Sequence, residues 1–314
     1  MEKILITGGA GFIGSHLVDS LIGKFDVVVL DDLSADSFHN IRNHVENGNI
    51  RFIKGTILSD DTLIESMNDV SIVFHLAAQP DVRQSVENPF SDFEVNVIGG
   101  MKLLEALRKK DIKRLIFASS GGVVYGEADK YPTPENTPLH PISNYGAAKA
   151  ALEMYITSYA ELYGIQSASM RLANIIGPRS VHGVIYDFFN KLTKDPTRLE
   201  VLGDGTQEKS YLYVSDVVSA IALLSSKLKE GHIQVNVGSE QKLTVKRIVE
   251  LVQEEMGLME VSIEYTGTKR GWIGDVPKVD LDISLLQSLG WKPKVELEDG
   301  VRRYVSWLKE KKYA

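Results

Sequence analysis

Along its first half the chain alternates short apolar runs with stretches of helical period. Residues 3–7, 26–30, 50–53, 71–75 and 114–118 are apolar and rich in β-branched types, and each reads as a buried strand. Apolar positions recur at helical spacing over 12–22, 60–67 and 89–108, and again from Tyr145 to about residue 163. Residues 167–171 give one further strand. Strands apolar on both faces, alternating with amphipathic helices, predict a parallel sheet covered on both sides. Residues 1–172 are therefore expected to form a doubly wound α/β sheet. After Leu172 the rhythm changes, with Gly177-Pro178 and Gly203-Asp204-Gly205 breaking up shorter strands near 199–202 and 261–265. The pattern predicts a smaller α+β domain over 173–210 and 239–314. Residues 211–238 are expected to return to the main sheet through Tyr211-Leu212-Tyr213 and Val235-Asn236-Val237.

Composition narrows the class. The chain has 314 residues, 43% of them apolar, enough for a large core. Formal charge is −7, a poor match to nucleic acid or an anionic membrane surface. With no cysteine there is no disulfide framework, thiolate metal site or thiol nucleophile, and no metal site is expected. The absence of a long apolar run and of a leader pattern predicts a cytoplasmic protein.

The first candidate chemistry is Thr7-Gly8-Gly9-Ala10-Gly11-Phe12-Ile13-Gly14, which directly follows the first strand and opens the first helix. Glycines there allow a tight turn and let the backbone approach a pyrophosphate, while the helix start offers N–H donors. Asp31 ends the second strand, where a carboxylate binds ribose hydroxyls and repels a 2′-phosphate, which favours NAD over its phosphorylated form. The small residues after His75, a histidine expected to be packed at a strand end, give a flat dinucleotide access. Asn96 reads either as a buried packing amide or as a cap on the loops at that edge.

The second is Ser143-Asn144-Tyr145-Gly146-Ala147-Ala148-Lys149. Tyrosine and lysine four apart share one helix face with only small residues between them. A phenol beside an ammonium and an oxidised nicotinamide is expected to have a lowered pKa and to act as a base. Ser119-Ser120 ends the fifth strand, at the edge where such sheets bind ligands.

Together these segments resemble the extended short-chain dehydrogenase/reductases, within them the nucleotide-sugar epimerase/dehydratase group. The carriers are residues 7–14, Asp31, His75-Leu76-Ala77-Ala78, Asn96, 119–126, Tyr145 with Lys149, 171–174 and 270–275. The resemblance spans essentially the whole chain. It implies a Rossmann domain holding NAD through Gly8, Gly11, Phe12, Ile13, Gly14, Asp31, Asp32, Ser34, Thr56, Ile57, Leu76, Ala77, Ala78, Gln79, Asn96, Ser119, Tyr145, Lys149 and Leu172. Tyr145, Lys149 and Ser120 are the implied catalytic residues. A UDP-hexose is the implied substrate, held by Ser120, Gly121, Asn174, His182, Gly183, Val184, Leu199, Val201, Lys209, Arg270 and Asp275. The implied reaction is 4-epimerisation of UDP-glucose and UDP-galactose through a 4-keto sugar, in a homodimer paired through a four-helix bundle. Another nucleotide-sugar epimerase or decarboxylase, or a non-catalytic NAD-binding protein of this fold, are the alternatives.

The chain also departs from the group. Gly121 stands where relatives carry the catalytic Ser or Thr, which shifts that role to Ser120. Gly122-Val123-Val124 replaces the acidic pair of the dehydratases, and Pro80 stands where some epimerases have a lysine. Thr56 replaces an acid near the adenine, and Lys209 replaces an arginine, keeping the charge but losing the planar fork. Val279 stands in place of a bulky tyrosine that gates N-acetylated sugars, which implies room for the N-acetyl pair.

Overall fold

The computed structural model describes residues 1–267 and 274–313. Its strands are β1 (Lys3–Thr7), β2 (Asp26–Asp31), β3 (Ile50–Lys54), β4 (Ile72–His75), β5 (Arg114–Ser120), β6 (Gln166–Leu172), β7 (Asn174–Ile176), β8 (Arg198–Val201), β9 (Glu208–Tyr213), β10 (His232–Val237), β11 (Lys242–Thr244), β12 (Ser262–Tyr265) and β13 (Lys278–Val279). The main sheet runs β10-β6-β5-β4-β1-β2-β3. From β3 to β6 every pairing is parallel. Strand order reverses between β1 and β4, so the carboxyl ends of these two strands open the crevice where doubly wound sheets bind ligands.

The chain divides into two compact units. The first comprises Met1–Gly126, Pro138–Leu172 and Val218–Val235. Leu5, Val28, Val73, Leu103, Leu107, Leu115, Phe117 and Leu152 form its core, each at most 1% exposed. Each such side chain contributes about 2 kcal/mol by leaving water. The helix expected over 89–108 is helical throughout but not uniform. It consists of Pro89–Phe93, a wider π-type stretch Glu94–Gly99, and Gly100–Lys109. A Cβ on Gly100 would lie 2.4 Å from Leu152 Cδ2, so glycine sets how closely this helix meets Asn144–Tyr163.

The second unit comprises Glu127–Thr137, Ala173–Val217 and Asn236–Ala314. Its sheet runs β11-β9-β13, with β7 also paired to β9, and β12 pairs with β8. Helices Val184–Lys194, Val245–Met256 and Leu297–Tyr313 supply Phe188, Phe189, Ile248, Val252, Val301 and Val305 to its core. This corrects the expected boundaries. Residues 211–213 do not return to the main sheet, because β9 registers with β7 and β11 instead. β10 does join the main sheet beside β6. Residues 127–137 belong to the second unit although they precede Leu172. Among the described residues no helix is long and apolar enough to cross a membrane.

Candidate active site

The first unit gathers the predicted cofactor and catalytic residues at the carboxyl edge of its sheet. β1 ends in a turn where Gly8 has φ +71° and its N–H donates to the Leu30 carbonyl at 2.9 Å. A Cβ on Gly8 would fall 2.6 Å from the Ala77 nitrogen, and one on Gly14 would fall 2.1 Å from the Gly8 oxygen. Only glycine fits either place. Helix Phe12–Leu21 starts here with Gly11 as its N-cap and no side chain capping it, so its first N–H groups are donors for an anion. Asp31 accepts from the Ala10 N–H and the Leu33 N–H, both at 2.9 Å. Burial pushes its carboxyl above the ordinary value, against these backbone donors. Asn40, which sequence reading missed, donates to the Ala10 carbonyl at 2.9 Å and braces the same turn. Asp32 accepts from the Ser34 N–H in a local turn. The Thr56 hydroxyl accepts from the Leu58 N–H at 3.2 Å, and Ile57 is buried.

Beyond β4 the backbone runs through Leu76, Ala77 and Ala78 to Gln79. His75 is packed as expected. It lies parallel to Phe117 at 5.5 Å, meets the Thr7 hydroxyl at 2.8 Å, and burial lowers its pKa to about 3. Asn96 satisfies both expected readings. It is 3% exposed, and it clamps Gln79 by accepting from that N–H (3.1 Å) and donating to that carbonyl (3.0 Å).

Helix Asn144–Tyr163 starts at Ser143, whose hydroxyl accepts from the Gly146 N–H. It sets Lys149 Nζ 5.6 Å from the centre of the Tyr145 ring, the expected side-by-side arrangement. Lys149 is 3% exposed, donates to the Ala118 carbonyl at 3.0 Å and lies 4.9 Å over Phe117. Burial lowers its pKa to about 8, while the Asp92 and Glu153 carboxylates oppose that fall. The ammonium is therefore the main form at pH 7. On the Tyr145 phenol the protein's own groups act against ionisation. Burial, and secondarily Asp92, raises its pKa above the ordinary value.

Ser119 and Ser120 separate by face. The Ser119 hydroxyl donates to the fully buried Glu153, so that side chain is turned away from the expected cofactor role. Glu153 also receives Arg171 Nη2 at 2.7 Å and Nε at 3.0 Å, and Arg171 Nη1 donates to the Tyr125 hydroxyl. Ser120 is half-buried, and its hydroxyl makes no hydrogen bond among the described residues. Gly121 begins the short helix Gly121–Val124, which carries no carboxylate. Leu172 ends β6 at the same edge. Sequence reading missed Glu153, although it lies four residues after Lys149, and Asp92, four before Asn96, both on the faces these spacings select.

The second unit holds the remaining residues. Asn174 Nδ2 donates to the Ser210 carbonyl at 3.4 Å. Gly183, at φ +93°, precedes helix Val184–Lys194 without a side-chain cap, and His182 is exposed. Lys209 Nζ lies 2.6 Å from Asp275 Oδ1, so these two form an ion pair. Leu199 and Val201 are 0% exposed in the second core, and their side chains cannot edge a ligand. Strand alternation turns Glu200 outward instead. Val279 is 5% exposed on β13, in register with Lys209 of β9. Arg270 lies outside the described residues.

The sequence profile of the NAD-dependent epimerase/dehydratase family matches residues 4–238. The chain belongs to that family. Its members include relatives close along the whole length. A protein of Methanocaldococcus jannaschii described as a putative UDP-glucose 4-epimerase is 41% identical, with 98% of each chain covered. The Thermotoga maritima UDP-glucose 4-epimerase, solved with UDP-glucose, superposes with a TM-score of 0.90 at 37% identity, covering 98% of this chain and 99% of that one. A Methanobrevibacter ruminantium UDP-N-acetylglucosamine 4-epimerase, solved with UDP-N-acetylmuramic acid, gives a TM-score of 0.90 at 31% identity, covering 99% of each. As an NAD-dependent epimerase/dehydratase, the chain has a site that fits its cofactor. The glycine turn admits no Cβ at two positions, the helix start is uncapped, and Asp31 sits where a ribose is bound.

Proposed function

We propose that this enzyme is a UDP-sugar 4-epimerase interconverting UDP-glucose and UDP-galactose through a 4-keto sugar. The observation that carries this reading is the Tyr145–Lys149 pair held against the end of β5, where the Ser120 hydroxyl has no partner among the described residues, next to a helix 121–124 that lacks any acid. A dehydratase needs further acid–base groups to eliminate water, and residues 121–124 supply none.

When bound, NAD supplies the two-electron chemistry at the sugar's C4 and brings a positive ring that favours the Tyr145 phenolate. The remaining work belongs to the protein. Ser120 donates a hydrogen bond to the 4-oxygen and fixes its direction. Tyr145 takes the 4-hydroxyl proton on the way to the ketone and returns it on the way back, so the cycle consumes no proton. Lys149, charged at pH 7, stabilises the phenolate between these events. On the second unit, Asn174, the uncapped start at Gly183 and the Lys209 ammonium are the groups proposed to hold the diphosphate. Incubating the purified protein with UDP-galactose, with no dinucleotide added, tests the proposal. UDP-glucose is expected to appear until equilibrium, and no conversion would sink it. The likeness to the UDP-N-acetylglucosamine enzyme makes UDP-N-acetylgalactosamine the second substrate to assay.

The same reading includes a homodimer. Phe90 (87% exposed), Phe93 (50%), Met154 (51%) and Leu162 (67%) present a large apolar area on helices Pro89–Phe93 and Asn144–Tyr163. Such an area in water is stable when a second copy covers it. Phe90→Asp with Leu162→Asp is expected to shift sedimentation from dimer to monomer; a wild type that already sediments as a monomer would refute the pairing.

A further inference from the structure

Asp92 is 1% exposed in the helix Pro89–Phe93, and nothing in the mechanism above uses it. Its Oδ1 accepts from Asn96 Nδ2 at 2.9 Å and from Gln79 Nε2 at 3.4 Å. Burial pushes the Asp92 carboxyl above its ordinary value, while the Asn96 donor and the Lys149 ammonium favour the carboxylate; two amide donors on one oxygen suit the ionised form, which only accepts. Asn96 Nδ2 spends its second hydrogen on the Gln79 carbonyl, so that amide group is fully used. Asp92 therefore anchors the clamp that shapes the loop after β4.

The helix that carries this carboxylate packs against the catalytic helix. Asn144 Nδ2 donates to the Ser85 carbonyl at 2.8 Å, and the Tyr145 N–H donates to the Ser85 hydroxyl at 3.2 Å. These bonds tie the start of the Tyr145 helix to Val82–Glu87, directly before Asp92's own helix. Helix Pro89–Phe93 packs against helix Asn144–Tyr163 with Asp92 buried, and the Asp92 carboxylate acts electrostatically on both Tyr145 and Lys149. The other groups facing Lys149 are accounted for. β5 offers the Ala118 carbonyl and the Phe117 ring. β4 offers His75, neutral at pH 7. The lysine's own helix offers Tyr145 and Glu153, and Glu153 is matched by Arg171. Asp92 makes no ion pair within 4 Å among the described residues, and Lys149 is the cation that acts on its carboxyl.

We propose that Asp92 is a positioning residue, the buried counter-charge of the Tyr145–Lys149 pair, acting on catalysis through the proton affinity of both groups. The inference rests on reading Tyr145 and Lys149 as the acid–base pair. Its sign is fixed by Coulomb's law. A nearby negative charge raises proton affinity, so removing it makes Tyr145 and Lys149 both lose protons at lower pH. Activity needs a phenolate and an ammonium, which gives a bell-shaped profile.

In Asp92→Asn, both limbs of the kcat/KM profile are expected to move to lower pH by about half a unit or more, with the shape kept. A profile that loses height while its limbs stay in place would overturn the proposal and leave Asp92 a packing residue. A second measurement covers an Asp92→Asn chain that does not fold. In protein labelled with 13C at the aspartate carboxyls, Lys149→Met is expected to raise the titration midpoint of Asp92, because coupling between two sites is reciprocal. An unmoved midpoint would overturn the proposal. This readout involves no turnover, so a protein inactive on every UDP-sugar yet showing the shift would refute the function and not the coupling of Asp92 to Lys149.

Discussion

Tyr145→Phe is expected to lower kcat/KM for UDP-galactose by about 10²–10⁴-fold, the usual worth of a positioned acid–base group. The substitution removes one oxygen and nothing else. That hydroxyl makes no hydrogen bond among the described residues, so its loss leaves no buried partner unsatisfied and the fold is expected to persist. KM should change little, because the phenol acts on a proton in flight rather than on the nucleotide. The comparison needs steady-state kinetics on both proteins beside a urea melt of each. Equal kcat/KM would take Tyr145 out of the mechanism. The structure also explains why the phenol needs help. Burial, and secondarily Asp92, raises its proton affinity. The dependence on a positive ring brought by the cofactor follows.

Glu153→Ala is expected to destabilise the protein by about 3–5 kcal/mol, measured as a lower urea midpoint. Glu153 is fully buried, and its Oε2 accepts from both Nε and Nη2 of Arg171, itself 3% exposed. Removing one partner strands a buried guanidinium, and the Ser119 hydroxyl loses its acceptor as well. Replacing both ions together, Glu153→Met with Arg171→Leu, is expected to recover part of the loss, since the pair's attraction mainly offsets its own desolvation. A single variant as stable as wild type would show that the ion pair does not hold the end of β5 in place. That end carries Ser120, so activity in Glu153→Ala should fall further than the unfolded fraction explains.

The parts of this site legible in the sequence are those that repeat at short range. The glycine turn, Asp31 at a strand end and Tyr145 four residues before Lys149 are local patterns, and geometry at that range follows from backbone period alone. Partners across long sequence distance were not legible. The run 211–213 reads correctly as a strand, but nothing in its residues says that it pairs with 174–176 rather than with β6. Pattern gives the period of a strand, not its neighbour. Leu199 and Val201 are the converse case. Their alternation with Glu200 marks a half-buried strand, and the buried face is theirs, which rules out contact of those side chains with a base. Asp92 and Glu153 look like ordinary helix acids in the sequence. Only the packing of helices 89–93 and 144–163 around β5 turns them into buried charges beside a lysine.

The effect of burial on the phenol is not legible for a related reason. Spacing places a charge beside a titrating group, but it carries no information on how much water both groups lose, and here that loss dominates.

The most direct test follows one hydrogen. UDP-galactose is incubated with the protein in D₂O until half has become UDP-glucose, and the product sugar is analysed by mass spectrometry. If the hydrogen on C4 leaves and returns inside the site while Tyr145 handles only the hydroxyl proton, the product carries no deuterium on carbon. Deuterium at C4 would mean that solvent exchanges with that carbon, and the 4-keto account would be wrong.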